Sequence, residues 1–518
     1  MSLVRNPILP GCHPDPSICR VGEDYFLVTS TFEYFPGLPV FHSTDLAHWE
    51  LVGHVVARVG VLDYEGIASS GGLFAPTLRH HDGLFWVVCT LVDPSDPRRG
   101  GNFLMTAADP AGPWSDPVWL DADGIDPSVF FDDDGRVWIH GTRLAREREW
   151  HDQTEVWLRE YDPAGKVLVG PEYVLWSGAL LGAVWAEGPH IYKVDGTYYL
   201  LAAEGGTDYE HAVVVARSSS VTGPYEGSRS NPVLTHRHLG RSADIVGAGH
   251  ADLVKAADGS WWAVLLAMRP YGGYHYPLGR ETFLVRVEWE KGWPVFAPGI
   301  GRLTDQVEVP FATPGSVRSD EEAGGLIPPT DSRWTSLRGP VDGLLSPRGD
   351  GWSLRLSRAS LKDPSTPAFL GVRQQHRSLD FSVTLRAPVA PGEEAGLAIR
   401  QSENDHVRLA VLTASTGEVV VRAIHRRTGV EHILGEVTPD VAVGDTLRLA
   451  LRVRDADYTL ALEAGGAAAT TLAIADGREL DSVAAGGFIG VLLGVYGTSN
   501  GAESDTVIEI DSVEYRPV

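Results

Sequence analysis

The chain has 518 residues, 43% of them hydrophobic and 21% charged, a balance that excludes a disordered polypeptide and, at this length, calls for two or more domains. Its 68 Asp and Glu against 43 Lys and Arg leave a formal charge of −25, a sign that repels nucleic acid and anionic membranes and tolerates a neutral ligand. Three cysteines, Cys12, Cys19 and Cys89, offer neither a disulfide framework nor a paired metal spacing; a reducing compartment fits, and with no signal-like apolar run before Pro7 and Pro10 the expected location is the cytoplasm.

In chain order, one pattern recurs through roughly the first three hundred residues: a small or acidic residue, usually a proline, an apolar pair, a turn, then an aromatic-rich apolar run. Five copies read HPDPSICRVGEDYFLVTS from His13, FAPTLRHHDGLFWVVCT from Phe74, IDPSVFFDDDGRVWIHG from Ile125, AEGPHIYKVDGTYYLLAAEGG from Ala186 and GAGHADLVKAADGSWWAVLLA from Gly247. Turns at Glu23-Asp24, Asp82-Gly83, Asp134-Gly135, Asp195-Gly196 and Asp258-Gly259 make each copy a β-hairpin. Further strand-like runs between copies, Leu38–His42, Val118–Leu120, Val156–Tyr161 and Val213–Arg217, are enough for four strands per unit. Five such units without long amphipathic helices predict a five-bladed β-propeller over residues 1–308; a β-solenoid is the alternative, but its coils are shorter than these units.

Residues 309–330, rich in Gly, Pro and acidic side chains, read as a linker. Beyond it, residues 331–518 carry alternating apolar and polar runs, among them Leu379–Leu385, His406–Leu412, Thr446–Val453 and Thr506–Tyr515, which predict a β-sandwich. The fold class expected is all-β, a propeller followed by a jelly-roll or concanavalin-like sandwich.

The heads of the five repeats, Asp15, Phe74-Ala75, Asp126, Glu187 and His250, occupy equivalent places near the propeller axis and so face one cavity. Like charges brought together raise one another's pKa, so three carboxylates from three blades suit acid/base work. Taken singly, an Asp-Pro-Ser strand start is also a common turn cap; it is the register of the set with the repeat that points to chemistry. Inverting glycoside hydrolysis needs one carboxylate to activate water and a protonated one to serve the leaving oxygen, about 6.5–9.5 Å apart.

The motifs NPILPGCHPDPS (Asn6–Ser17), STFEYFPGLPVFHSTDLAHW (Ser30–Trp49), GIDPSVFFDDDG (Gly124–Gly135), AEGPHIYK (Ala186–Lys193), AEGGTDYEHAVVVARS (Ala203–Ser218) and LGRET (Leu278–Thr282) resemble glycoside hydrolase family 43, in particular its β-xylosidase-like branch with a C-terminal sandwich. The resemblance covers nearly the whole chain. It implies Asp15 as general base, Glu187 as general acid and Asp126 as the residue that tunes and positions that acid. It further implies that Arg280 lies beside the sugar and an acidic partner, that Phe32 and Phe74 pack on the sugar ring, and that Thr207 contributes a hydrogen bond. The family generally has Trp where this chain has Phe74, which leaves open a preference for xyloside or for α-L-arabinofuranoside.

His250 matches a histidine that in some relatives lies beside a calcium ion and in others simply adjoins the substrate. A divalent cation such as calcium in the channel is thus allowed and not required, and the expected ligand is a small oligosaccharide, with self-association left open. Glu204 is a rival to Glu187 but follows the strand Tyr198–Ala203 and falls at a different point in its blade. The branch also implies that a sandwich loop closes the channel into a pocket for exo-action, for which the glycine-flanked Val495–Asn500 is the segment suggested. A non-catalytic sugar-binding propeller is the reading from another class, and it predicts loss of a carboxylate; all three are present.

Overall fold

The computed structural model describes residues 2–312, 324–341, 343–348, 351–386, 390–466 and 468–518. Five antiparallel sheets follow one another along the first part of the chain. The first blade runs from its inner strand Ser17–Val21 through Asp24–Val28 and Gly37–Ser43 to Glu50–Val56. The other inner strands are Thr77–His81, Ile125–Phe131, Glu187–Val194 and Val246–Lys255, one from each predicted repeat. Each inner strand packs on the next and the fifth packs on the first, so the ring is closed.

The hairpin turns follow the chemistry of their residues. Asp82-Gly83 and Asp195-Gly196 carry φ of 48° and 76°, and of 48° and 79°; both central residues are left-handed, as a two-residue type I′ turn requires. In the first blade the turn is Gly22-Glu23 rather than Glu23-Asp24, because Val21 pairs with Asp24 and only Gly22 supplies the positive φ. Asp134-Gly135 and Asp258-Gly259 sit in longer loops, between the pairs Phe131–Val137 and Lys255–Trp261. In the second blade the strand Gly101–Ala107 lies between Leu84–Val92 and the outermost Val118–Trp119; the sequence reading found only the last of these beyond the hairpin.

The ring is held at its seam and at its axis. Ser2–Arg5 pairs antiparallel with Gln306–Val309, and beside this ladder the buried Asn6 donates to the Leu284 carbonyl (2.9 Å) and accepts from the Leu284 N–H (2.9 Å). At the axis, Asp252 of the fifth blade accepts from Ser17 (2.6 Å) of the first, from both Nη atoms of Arg79 (2.7 and 3.0 Å) of the second, and from Tyr192 of the fourth. Arg79 and Ser128 of the third blade both meet His190 Nδ1 at 3.2 Å. A buried carboxylate is tolerated when its lone pairs are all used, and here one carboxylate links four blades.

The C-terminal part is a sandwich of an eight-stranded and a six-stranded sheet, with Leu379, Val383, Leu397, Leu409, Leu449 and Val495 among the buried side chains between them. Half of the expected linker, residues 313–323, lies outside the described residues; Gly325–Leu326 pairs with the last strand, Val507–Pro517. The sandwich docks on the propeller through a short ladder of Tyr34–Phe35 with Ser336–Leu337 and through a fully buried ion pair, Glu33 with Arg400 at 3.3 Å. No helix among the described residues is long and apolar enough to cross a membrane.

Replacing Asn6 by Ala strands a buried N–H and a buried carbonyl of Leu284 at the seam. A loss of about 1–3 kcal/mol is expected, read as a lowered Tm for the first calorimetric transition with sandwich contacts intact.

Candidate active site

The heads of the inner strands share an unusual backbone. Asp15 (φ 55°), Asp126 (φ 52°) and His250 (φ 50°) are all left-handed non-glycine residues, a conformation that costs energy and clusters where surrounding structure enforces it. In the third, fourth and fifth blades the pairing register slips at these points, between Ile125 and Ser128, between Glu187 and His190, and between Val246 and Asp252. Each slip re-aims the side chains at the strand head away from the regular alternation. In the fourth blade the left-handed residue is Gly188 (φ 55°), and a Cβ there would sit 2.5 Å from His250 Nε2, so only glycine lets the fourth and fifth heads meet.

These heads converge. Asp15 accepts from Arg280 Nη1 (3.0 Å) and from Ser30 Oγ (2.7 Å), and its Oδ1 lies 3.3 Å from His250 Nδ1. Asp126 accepts from the Gly188 N–H (3.1 Å), the peptide next to Glu187. Arg280 also donates to Thr207 (3.0 Å). The structure therefore gathers Asp15, Asp126, Glu187, His250, Arg280 and Thr207 around one point.

Their charges divide. Burial alone would raise Asp15, but the Arg280 guanidinium and the hydrogen bonds from His250 and Ser30 override it and hold the carboxyl well below the usual range. Burial pushes Asp126 up to about 6, with the charge of Asp15 adding to it against the pull of His250. Glu187 is pushed furthest, to about 8, by removal from water first and then by the charge of Asp126. Burial lowers His250, yet its hydrogen bond to Asp15 and the three acidic charges leave it raised. At neutral pH one carboxylate is firmly ionised and another keeps its proton, the pairing from which acid/base assignments follow.

Three aromatic rings wall this cluster. Phe32 (φ 54°) is buried, and its ring stands T-shaped to half-buried Phe74 with centroids 5.6 Å apart. The third ring, Phe488, belongs to the sandwich; it stacks on Phe32 at 6.1 Å and meets Phe74 edge-on at 6.0 Å. The carbonyl of Phe488 accepts from Arg280 Nε and Nη2 (3.4 and 3.3 Å), and its N–H donates to Ser70 Oγ (2.8 Å). The closing segment is thus the loop around Phe488 and not Val495–Asn500: Leu492–Thr498 is a buried strand inside the six-stranded sheet. The signal in the sequence was the AGGFIG run, a double glycine before an aromatic (Ala485–Gly490).

Glu204 is buried and accepts from the N–H groups of Ala179 and Leu180 (2.9 and 3.1 Å), so it fastens a loop and faces away from the cluster's chemistry. For a divalent cation the donor set at His250 does not fit. Calcium takes six or more oxygen ligands, whereas His250 Nδ1 is turned to an Asp15 already engaged by Arg280 and Ser30. Among the described residues no group of three His, Cys, Asp or Glu could hold a metal ion.

Residues 4–294 match the family described as glycosyl hydrolases family 43, and residues 328–516 match the beta xylosidase C-terminal concanavalin A-like domain. The chain is 39% identical to a xylosidase/arabinosidase of Butyrivibrio fibrisolvens over 98% of both chains. It is also 39% identical to a non-reducing end alpha-L-arabinofuranosidase of Bacteroides ovatus, over 99% of this chain and 94% of that one. The crystal structure of a xylan beta-1,4-xylosidase from Bacillus halodurans superposes with a TM-score of 0.91 at 33% identity, covering 99% of this chain and all of that one. With the closed ring, the appended sandwich and these matches along nearly its whole length, the chain belongs to glycosyl hydrolase family 43 and is a glycosidase.

Proposed function

We propose that this glycosidase removes single pentose units from the non-reducing ends of small oligosaccharides, by inversion, with xylose as the principal sugar. The observation that carries the reading is the opposite protonation of Asp15 and Glu187 within one cluster. Asp15, ionised and fixed by Arg280 and Ser30, takes a proton from a water molecule whose oxygen attacks the anomeric carbon. The bond from that carbon to the bridging oxygen breaks, and Glu187 gives its proton to that oxygen as it leaves. Asp126 acts through Glu187: its charge raises the acid, and its hydrogen bond fixes the adjoining peptide.

Each step uses side chains of this chain, and we assign the reaction no metal. Phe32, Phe74 and Phe488 offer ring faces to the sugar, and Arg280 and Thr207 offer polar contacts beside it. The loop bearing Phe488 lies across the cluster and so favours chain ends over mid-chain cleavage. Cys12, Cys19 and Cys89 are all buried free thiols, which supports a reducing, intracellular setting.

A second reading, chiefly α-L-arabinofuranosidase, rests on Phe74, where the family generally has the larger Trp, and on the name carried by the Bacteroides ovatus relative. The ratio of kcat/KM for p-nitrophenyl β-D-xyloside and p-nitrophenyl α-L-arabinofuranoside decides between them. A value above one supports xylose, a value below one supports arabinose, and no turnover of either removes both. In proton NMR of early product from the β-xyloside, inversion gives α-xylose first.

Asp15→Ala and Glu187→Ala should each lower kcat/KM on a pentose disaccharide by about 10²–10⁴-fold. The Glu187 loss should shrink on the p-nitrophenyl glycoside, whose leaving group needs little protonation.

In the wild type, kcat/KM should fall as pH rises through about 8, where Glu187 loses its proton. Asp126→Asn removes the neighbouring charge that raises Glu187, so the alkaline limb should move to lower pH, with the Gly188 hydrogen bond still accepted by the amide oxygen.

A further inference from the structure

The sandwich meets the propeller on one side of the pocket. Its hydrogen bonds fall on the first blade (Arg373 to the Cys12 carbonyl, Arg338 N–H to the Glu33 carbonyl), on the segment entering the second (Phe488 N–H to Ser70, Arg338 to the Ile67 carbonyl), and on the fifth (Tyr276 N–H to Asp481, Val491 N–H to the Pro277 carbonyl). The rim over the third and fourth blades carries a different structure. There the loop 177–186 joins the outermost strand of the third blade, Val167–Trp176, to the inner strand of the fourth, which begins at Glu187.

This loop is fastened at several points. Glu204 accepts from Ala179 and Leu180, Trp150 Nε1 donates to the Ala183 carbonyl (2.7 Å), the Trp185 N–H donates to the Asp152 carbonyl (3.2 Å), and the Gly205 N–H donates to the Val184 carbonyl (2.9 Å). Even so, it presents apolar side chains to solvent, with Leu181 96% exposed and Leu180 41% exposed. Its last residue but one is Trp185, two positions before Glu187. Trp185 has φ 53°, an outlier for so bulky a side chain, and shares that conformation with Asp15, Phe32, Asp126 and His250. Strain of this kind persists only where surrounding bonds hold it. The half-buried indole borders Gly206, where an added Cβ would lie 3.8 Å from its Cδ1, and the next residue, Thr207, is the one that Arg280 holds beside Asp15.

We propose that Trp185, on this braced loop, is the packing surface for the departing part of the substrate: the pentose unit that leaves with the oxygen protonated by Glu187. The inference rests on the exo-glycosidase reading above and deepens it. The departing unit lies on the acid's side of the broken bond and must leave where the sandwich does not cover the pocket, and both conditions select the rim at the fourth blade. A flat, half-exposed indole is the surface a sugar face packs against in water, and a loop already ordered by several hydrogen bonds loses little freedom when the sugar lands on it. Gly206, lacking a side chain, leaves the edge of the Trp185 ring clear on the side of Thr207.

The test compares two glycosides of the pentose that the wild type prefers: its disaccharide, xylobiose for a xylosidase, and its methyl glycoside. Both leave poorly without the acid, but only the first has a ring to place on Trp185. Trp185→Ala is expected to lower kcat/KM for the disaccharide about tenfold, the scale of one lost aromatic packing surface, and to leave the methyl glycoside within about twofold. Trp185→Phe should retain most of the disaccharide activity, and the alkaline limb of the pH profile should stay in place in both variants. Equal losses on the two substrates, or a displaced alkaline limb, would mean that Trp185 only supports Glu187 and would overturn the proposal, as would no change on the disaccharide. If the wild type cleaves neither glycoside, the exo-glycosidase reading fails first and the platform falls with it; turnover by the wild type with an unmoved ratio in Trp185→Ala removes the platform alone.

Discussion

Arg280 is the point on which the rest of the site depends. One guanidinium donates to Asp15 of the first blade, to Thr207 of the fourth and to the Phe488 carbonyl of the sandwich, while its own position belongs to the fifth blade. Its planar fork lets one charge serve three partners in fixed directions, which a lysine could not do. That charge keeps Asp15 ionised in a place where burial would otherwise neutralise it. Burial and then the charge of Asp15 push Asp126 up, and burial together with the charge of Asp126 raises Glu187. Asp15 and Glu187 differ because Arg280, His250 and Ser30 bind Asp15 directly, whereas at Glu187 burial and the charge of Asp126 outweigh the pull of His250 and Arg280. Phe32 and Phe488 flank the same guanidinium at 5.5 and 5.6 Å, so the aromatic wall is anchored to the same group.

A propeller supplies this arrangement at low cost in covalent design, because each repeat delivers its head to the axis. Regular strands would not aim those heads correctly. The register slips in the third, fourth and fifth blades and the left-handed backbones at Asp15, Asp126 and His250 turn the carboxylates into one space. Such strain persists only where neighbours over-determine it. Beneath the site, the Asp252 hub provides that rigidity, since its carboxylate is held by the first, second and fourth blades at once. The layer of strand heads is strained, and the Asp252 carboxylate beneath it is satisfied.

Much of this was legible in the sequence, and the limits have physical causes. The five repeats could be read because each hairpin carries its own turn residues and its own apolar alternation, both local signals. The convergence of Asp15, Asp126 and Glu187 followed from the register of the repeat, and Arg280 and Thr207 came from motifs. Phe488 could not be read that way, since it reaches the pocket from a different domain, across 208 positions from Arg280, and no period in the sandwich points to it. Val495–Asn500 stands out for its glycines, but glycine flanking an aromatic also occurs inside a strand: Gly494 lets a neighbouring strand lie close, where a Cβ would meet the Leu370 carbonyl at 2.1 Å, and Gly497 leaves room for the side chains of Leu356 and Ile508. Trp185 carries no such signal, because its left-handed backbone is invisible in sequence.

Closing a pocket with a second domain makes the chemistry sensitive to how that domain docks, and the interface is built to fix one pose. Glu33, the residue after Phe32, pairs with Arg400 where both side chains are fully buried, and its second oxygen accepts from the Ser70 N–H (3.1 Å). Ser70 in turn accepts from the Phe488 N–H. Arg400 also donates to Ser69 (2.8 Å), whose N–H reaches Glu403 (3.0 Å). Buried charges of this kind add little net stability, because desolvation cancels much of their attraction, but any displaced arrangement leaves a charge unpaired and is costly. A purely apolar interface would tolerate sliding by an ångström or two. Here the chain of bonds from Arg400 through Glu33 and Ser70 to Phe488 ties the register of docking to the position of the ring and carbonyl that face Arg280. The hydrogen bonds that fix the sandwich fall on the first, second and fifth blades, so one interface sets which side of the cluster Phe488 closes and which side, beside Glu187, it does not.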